Sequence, residues 1–293
     1  MPDFWTHLVA GEEINAGLSN KSLQKLINNN YQLFNYGCQG ADFFFYHNFL
    51  PWQQSEPSSK KGNDIHRLSA KKLFAEILTA YKKEGVYHHK IIPDSAYWQH
   101  NLVYLLGFIS HFAVDRECHP YILEHGGRGK DHKQIEASID LYIMKKKWQQ
   151  SPVNTDPRPY YRLLPEIKDN LKFFYKIIFD NLIKEELNEK LLWDSYLDYR
   201  KYHKIFYTSG SKKYYLFKFI NYIIPQNLAQ YNYGLCENKA VWPEKNYLEF
   251  EKRYKKGVES AQKLIEKTLL YFSSEISLSE LLKNYGDKNF MGE

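Results

Sequence analysis

Cysteine is scarce in this sequence, and its scarcity argues against two classes of cross-linked fold. The 293 residues include three cysteines, Cys38, Cys118 and Cys236, and no two of them form a Cys-x-x-Cys pair. Zinc sites built from thiolates and frameworks held by disulfides both draw on clustered cysteines. We therefore expect neither in this chain.

Long apolar segments are absent as well. No stretch reaches the roughly 18 consecutive apolar residues of a membrane-spanning helix, so no such helix is predicted. The first residues, Met1 to His7, show neither the basic region nor the apolar stretch of a secretory signal. On these grounds we expect a cytoplasmic protein.

Charge of one sign is only slightly in excess. The chain has 40 basic and 34 acidic residues, which gives a formal net charge of +6. This excess would help an anionic substrate to approach, but it does not by itself indicate nucleic acid.

Aromatic residues are abundant, with 25 tyrosines and 18 phenylalanines. Two interpretations stay open: a codon bias of the genome, or an aromatic surface that contacts lipid or bases.

The apolar periodicity predicts an all-α fold. Residues 102–114 are apolar nearly all round, which predicts a buried central helix. A long amphipathic helix beginning near Pro243 is predicted by apolar residues at steps of three and four: Phe250, Tyr254, Val258, Ala261, Ile265 and Leu269. No stretch alternates with a period of two, so we expect little or no sheet.

Two segments rich in turn-forming residues are predicted as loops. Residues 55–63 are expected to form a surface turn, with Asp64 as the N-cap of a helix that His66 opens. Residues 151–159 separate a histidine-rich first half from a second half rich in lysine and tyrosine. They form either an interdomain linker or a loop within one helical assembly, and we favour the second.

A run of metal-competent side chains stands out between positions 111 and 136. His111, Asp115 and His119 follow one another at intervals of four, and His132 and Glu136 repeat that spacing. On a helix of about 3.6 residues per turn, the first three lie within roughly 80° of one face. This pattern is typical of a site that holds more than one metal ion. The alternative is a buried polar network in which every group has a partner.

Three further candidates precede this run. His7 follows Phe4-Trp-Thr, Asp42 follows the small-residue turn at positions 37–41, and His66 follows the segment at 55–63. In this order, the histidines and carboxylates resemble those of the zinc-dependent phospholipase C family. That family shares a trinuclear zinc site with the fungal zinc-dependent single-strand nucleases. The resemblance covers about residues 1–145.

The resemblance implies a multi-helix bundle with a cluster of two or three zinc ions in a cleft. The implied ligands of the first zinc are Asp42, His66, His111 and Asp115. Those of the second zinc are His119, His132 and Glu136. Residues 1–150 would form the metal-binding core of a single helical domain spanning 1–293, in which 151–293 are a helical half of unassigned role.

The resemblance also implies a third zinc and a catalytic base. His7 resembles the side-chain ligand of the third ion, and Asp115 resembles a bridge between the first and third ions. The N-terminal residue of family members binds the third zinc as well. Asp42 resembles a carboxylate that acts as general base in addition to being a ligand. Asp140, one turn beyond Glu136, is a candidate to orient a ligand imidazole.

Three departures from the family are visible in the sequence. Family members begin at a tryptophan exposed by removal of a signal, whereas Met1 and Pro2 stand here, so a trimmed Pro2 amine would have to serve. His119 follows Asp115 by four residues, two fewer than is typical, and Pro120 predicts a helix end or kink at His119. No β-sandwich lipid-binding domain follows the metal core.

These observations predict a zinc-dependent phosphodiesterase of the phospholipase C type. Its substrate would be a phospholipid or a soluble phosphodiester, with peripheral membrane contact and without a transmembrane segment. A nuclease or nucleotide phosphatase on the same metal core is the alternative enzyme, although nucleic acid is the less favoured partner. A non-catalytic helical module stabilised by metal is the alternative outside enzymes.

Overall fold

The computed structural model describes residues 3–50, 53, 56–84, 92–126, 130–162, 164, 166–207, 215–216, 219–220, 222–223 and 242–293. Eleven helices of at least seven residues lie within these ranges: α1 (Phe4–Gly17), α2 (Lys21–Asn29), α3 (Tyr31–Gly37), α4 (Glu56–His66), α5 (Ala70–Glu84), α6 (Ala96–Gly126), α7 (Lys130–Lys147), α8 (Ile167–Ile178), α9 (Glu189–Phe206), α10 (Glu244–Phe272) and α11 (Leu278–Tyr285).

Short turns of helix complete the secondary structure. Two 3-10 turns span Asp42–Tyr46 and Arg158–Tyr161, and one π turn, Phe179–Ile183, continues α8. The described residues contain no β-strand. The prediction of an all-α fold is therefore confirmed over this part of the chain. None of the helices described there combines the length and the apolar character that crossing a bilayer requires.

Helix α6 is the central element of the bundle. Its residues 102–115 are all buried, and it packs against α1, α3, α7, α8 and α10. The apolar character of residues 102–114 all round the helix explains this position, because every face has a neighbour to bury against. The predicted buried central helix is confirmed.

Helix α10 lies along α6 and covers one of its sides. The apolar residues that predicted it are buried, and Pro243 stands immediately before its first residue, Glu244. Proline suits this place because the first helical N–H groups have no partner within the helix. The predicted amphipathic helix near the C-terminus is confirmed.

Two local predictions are wrong. Residues 56–63 belong to α4, so Asp64 lies inside that helix and His66 is its last residue rather than its first. Pro57 sits in the first turn, where proline is tolerated. Gly62 lies against Phe44 and Phe45, and the Ser58 hydroxyl is 2.8 Å from that of Ser195. Packing against these neighbours outweighs the turn propensity of the segment.

The expectation of a helix end at His119 is wrong as well. Helix α6 continues through Pro120 to Gly126, although proline has no N–H to donate to the carbonyl four residues earlier. Cys118 and Ile122, on either side of the proline, are fully buried. Packing of the residues on both sides of Pro120 keeps this segment helical, and His119 therefore lies within α6.

The backbones of α3 and α6 touch at two glycines. A Cβ on Gly107 would lie 2.2 Å from the Phe34 carbonyl oxygen and 2.8 Å from the Cys38 nitrogen. A Cβ on Gly37 would lie 2.2 Å from the Tyr104 carbonyl oxygen. Because backbone atoms cannot move aside as side-chain tips can, glycine is required at this crossing. The crossing also sets the position of the turn that leads from α3 to Asp42.

We predict that Gly107→Ala destabilises the protein. The added methyl group must separate α3 from α6, and overpacking of this kind costs about 1–3 kcal/mol. Urea unfolding followed by circular dichroism measures the loss. Gly17→Ala is the matched control, since its Cβ meets only the flexible end of the Gln262 side chain. Equal stability of the two variants would contradict the tight crossing.

Candidate metal centre

Two overlapping groups of buried imidazole and carboxylate side chains lie where α1, α4, α6 and the first 3-10 turn meet. One group consists of His7, His111 and Asp115, and the other of Asp42, His66 and His111. Within each group the atoms available as ligands lie within 4.8 Å of one another. The structure therefore brings together five of the residues predicted from the sequence, and His111 belongs to both groups.

The carboxylate of Asp115 faces both groups. Its Oδ1 is 3.2 Å from Nε2 of His7, while its Oδ2 is 3.4 Å from Nε2 of His111 and 3.9 Å from Nε2 of His66. On the other side, Oδ1 of Asp42 is 3.1 Å from Nε2 of His66 and 3.8 Å from Nε2 of His111. The three Nε2 atoms thus share one space with oxygens of both carboxylates.

The histidine rings are oriented by bonds on their outer nitrogens. Nδ1 of His66 lies 2.7 Å from the Gly62 carbonyl oxygen, and Nδ1 of His111 lies 3.2 Å from the Cys38 carbonyl oxygen. A carbonyl oxygen only accepts, so in each case Nδ1 donates. In a neutral ring Nε2 then carries the lone pair, which is the form that binds a metal ion.

The inner atoms have no hydrogen-bond partner. Buried atoms without one include Nε2 of His7, His66 and His111, Oδ1 of Asp42 and both carboxylate oxygens of Asp115. Buried polar groups are nearly always satisfied, so a cluster of unsatisfied atoms that converge on one space needs an explanation. Cations held by the two groups would satisfy these atoms.

Burial and neighbouring charges shift the pKa values of this cluster in different directions. Burial raises the pKa of Asp42. Burial opposes charge on Asp115 too, but the rings of His111 and His7 hold the pKa of its carboxyl below the usual range. Burial likewise lowers the pKa of His111 well below normal, whereas at His7 and His66 the adjacent carboxylates outweigh burial and raise the pKa. Imidazole and carboxylate groups without thiolate fit a zinc ion with positions open for water.

The remaining predicted ligands lie beside this cluster on α6 and α7. The His119 and His132 ring centres are 5.8 Å apart, and Nε2 of His132 is 3.0 Å from Oε1 of Glu136. Burial lowers the pKa of His119 to about 3, so its ring is neutral. The His132 side chain is 18% exposed, in contrast to His111, which is fully buried.

Lys133 connects Glu136 to the start of α1. Its ammonium group is 2.9 Å from Oδ2 of Asp3 and 3.3 Å from Oε2 of Glu136, and it donates to the Tyr46 hydroxyl. Tyr46 in turn donates to Oδ1 of Asp3. Burial would raise the pKa of Glu136, but surrounding positive charge, that of Lys133 included, holds it well below normal. The sequence analysis did not identify Lys133, although its place inside His132-x3-Glu136 was a signal.

Asp140 binds the start of α1, and its role in orienting a ligand imidazole stays a prediction. It accepts hydrogen bonds from the backbone N–H groups of Trp5 and Thr6, and from the Thr6 hydroxyl, at 2.6–3.0 Å. These groups are at the start of α1, where N–H donors lack partners within the helix. Asp140 thus fixes the helix that carries His7 to α7, and none of these three bonds goes to an imidazole.

Two other residues that enclose the cluster were not identified from the sequence. Gly40 has a φ of +53°, and a Cβ there would lie 2.0 Å from the His111 ring. The Phe290 ring is fully buried, with its centre 5.0 Å from that of His66 and 5.6 Å from that of His111. The small-residue turn was a signal for Gly40, but nothing local marks Phe290. Met1 and Pro2, considered for a third zinc, lie outside the described residues.

Comparison with known proteins assigns the family. A family model described as zinc-dependent phospholipase C matches residues 6–231, which include each predicted ligand from His7 to Glu136. No curated protein and no solved structure shows a significant match. The family match extends over most of the chain, well beyond the first half that carried the resemblance. The chain therefore belongs to the zinc-dependent phospholipase C family.

Proposed function

We propose that this protein is a zinc-dependent hydrolase that cleaves the phosphodiester of a phospholipid head group. The observation that carries this proposal is the convergence of unsatisfied Nε2 and carboxylate atoms from His7, Asp42, His66, His111 and Asp115 in one buried space. The family match supports the choice of zinc and of a phospholipid-type substrate.

We assign two or three zinc ions to the site. Asp42, His66, His111 and Asp115 would hold the first, and His119, His132 and Glu136 the second. His7 would hold a third, with Asp115 shared. This sharing is supported by the placement of Asp115, whose Oδ1 faces His7 while its Oδ2 faces His66 and His111. The backbone carbonyls at positions 62 and 38 would keep the His66 and His111 rings in the ligating form.

Divalent ions held here would lower the pKa of water and offset negative charge on the phosphate oxygens. Asp42 is the proposed general base, because its Oδ1 is buried in the cluster without a hydrogen-bond partner. In the reaction, a water oxygen forms a bond to phosphorus and Asp42 takes the water proton. The bond from phosphorus to the alcohol oxygen would break as that oxygen takes up the proton from Asp42, and an alcohol and a phosphomonoester would leave. The Lys133 ammonium group, which Asp3 and Glu136 engage, would hold Glu136 ionised as a ligand.

We predict that His111→Ala loses bound zinc. This change removes the one ligand common to both buried groups, so at least one ion should be lost from the wild-type complement. Elemental analysis of protein purified without chelator measures the content. His100→Ala is the control, because His100 lies on the same helix about three turns away and is not part of either group. Wild-type protein without zinc, or equal zinc in both variants, would contradict the assignment.

We predict that Asp42→Asn reduces turnover more than it reduces zinc content. Removing a general base costs about 10²–10⁴-fold in rate, whereas an amide oxygen can still ligate a metal ion. Hydrolysis of a chromogenic phosphocholine ester per bound zinc measures the effect, with the surface variant Asp180→Asn as control. Activity that falls only in proportion to zinc would make Asp42 a ligand alone.

The same assay distinguishes the alternative functions. Single-stranded DNA and nucleotides, tested beside the phosphocholine ester, report a nuclease or phosphatase if they are the only compounds cleaved. Zinc that is bound without cleavage of any of these compounds would favour the non-catalytic module.

A further inference from the structure

Large exposed apolar side chains are concentrated in one short segment. Tyr215, Leu216, Phe219, Tyr222 and Ile223 are each more than half exposed, and Tyr222 is 90% exposed. Elsewhere in the described part of the chain, the exposed large hydrophobic residues are Tyr31, Tyr97 and Leu248, which are far apart in sequence. Scattered exposed residues of that kind are normal, but a concentration of them marks an interaction surface. We call the five residues between 215 and 223 the apolar patch.

The patch has the spacing of one helical face. The described residues of this segment, at positions 215–216, 219–220 and 222–223, are helical. Tyr215, Phe219 and Tyr222 follow one another at steps of four and three, as do Leu216, Ile220 and Ile223 at steps of four and three. These steps place side chains next to one another on a helix. The spacing therefore places the described patch residues on one side of a helix.

The sequence around the patch carries one sign of charge. Between Asp198 and Glu237 there is no acidic residue, and the basic residues there are Arg200, Lys201, Lys204, Lys212, Lys213 and Lys218. The excess of basic residues in this stretch equals the +6 net charge of the whole chain. The charge excess is thus local, and it accompanies the exposed aromatic residues. Together the two features are complementary to a surface that is both apolar and negatively charged.

Helix α9, which precedes the patch in the chain, ends near the metal centre. Helix α9 ends at Phe206, whose ring packs against Phe49 and Tyr202. Tyr202 also contacts Tyr46, in the 3-10 turn that begins at Asp42. Tyr215, the first residue of the patch, follows Phe206 by nine positions in the sequence, so α9 links the patch to the part of the protein that holds Asp42.

We propose that the apolar patch docks the protein on the surface of an anionic phospholipid membrane. Tyrosine and phenylalanine side chains suit the boundary between head groups and acyl chains, and lysines add attraction to anionic lipids. Docking would bring the metal centre close to a membrane substrate. The inference rests on the proposed function for its purpose, but the binding itself does not require catalysis. A second copy of the chain would match the apolar side chains, but the local positive charge would repel it.

Vesicle co-sedimentation tests the proposal on full-length, zinc-loaded protein. We expect stronger binding to vesicles of phosphatidylcholine mixed with phosphatidylserine than to phosphatidylcholine alone. The preference should weaken with salt, since salt screens exposed charges. In Leu216→Ser/Tyr222→Ser, the partition coefficient for the mixed vesicles should fall roughly tenfold or more, because the apolar contact area is lost. The matched control is Tyr97→Ser/Leu248→Ser, which removes one leucine and one tyrosine that are exposed elsewhere.

Several outcomes overturn the docking surface. These are wild-type protein that does not bind either kind of vesicle, patch and control variants that bind equally, and wild-type self-association that the patch variant abolishes without any vesicle binding. Hydrolysis of the soluble phosphocholine ester separates these failures from failure of the proposed function. We expect the patch variant to cleave that ester at the wild-type rate. Vesicle binding through the patch without hydrolysis of any substrate would uphold the docking surface and refute the phospholipase.

Discussion

The structure depends on how two buried carboxylates are compensated. Asp42 and Asp115 lie inside a helical bundle, and removing a carboxylate from water costs several kcal/mol unless positive charge or hydrogen bonds replace the solvent. The chain provides three imidazole rings around them but leaves the facing atoms without hydrogen bonds. Polar atoms buried in this way raise the free energy of the folded state when nothing lies between them. They lower it when a cation does. The same arrangement therefore links the stability of the fold to its chemistry.

Much of the remaining structure serves to hold these ligands in place. Asp140 accepts hydrogen bonds from the start of α1, and Asp3 connects that helix to Lys133 on α7. His7 is thereby fixed relative to Glu136, although the two are far apart in sequence. Gly40 lets the backbone pass close to the His111 ring. Such outer contacts determine ligand orientation as much as the ligands themselves do.

The sequence was most informative where a pattern repeats at helical spacing. The apolar residues of α6 and α10 predicted both helices, and the four-residue steps from His111 to Glu136 identified the ligand candidates on α6 and α7. Predictions from single residues were weaker. Asp64 looked like an N-cap and Pro120 like a helix end, yet α4 and α6 run through them because packing overrides local propensity. Lys133, Asp140 and Phe290 act through contacts that local spacing does not reveal.

Phe290 has a consequence for the order of events in folding. The rings of His66 and His111 rest against a side chain from the far end of the chain, which follows α10, the helix that lies along α6. Contacts between such distant positions form slowly, because a long loop must close first. Every candidate ligand lies between the start of α1 and the end of α7, but that part of the chain lacks this wall of the site. We therefore expect ion capture to be a late step that closes an almost completed fold, rather than a nucleus around which the helices assemble.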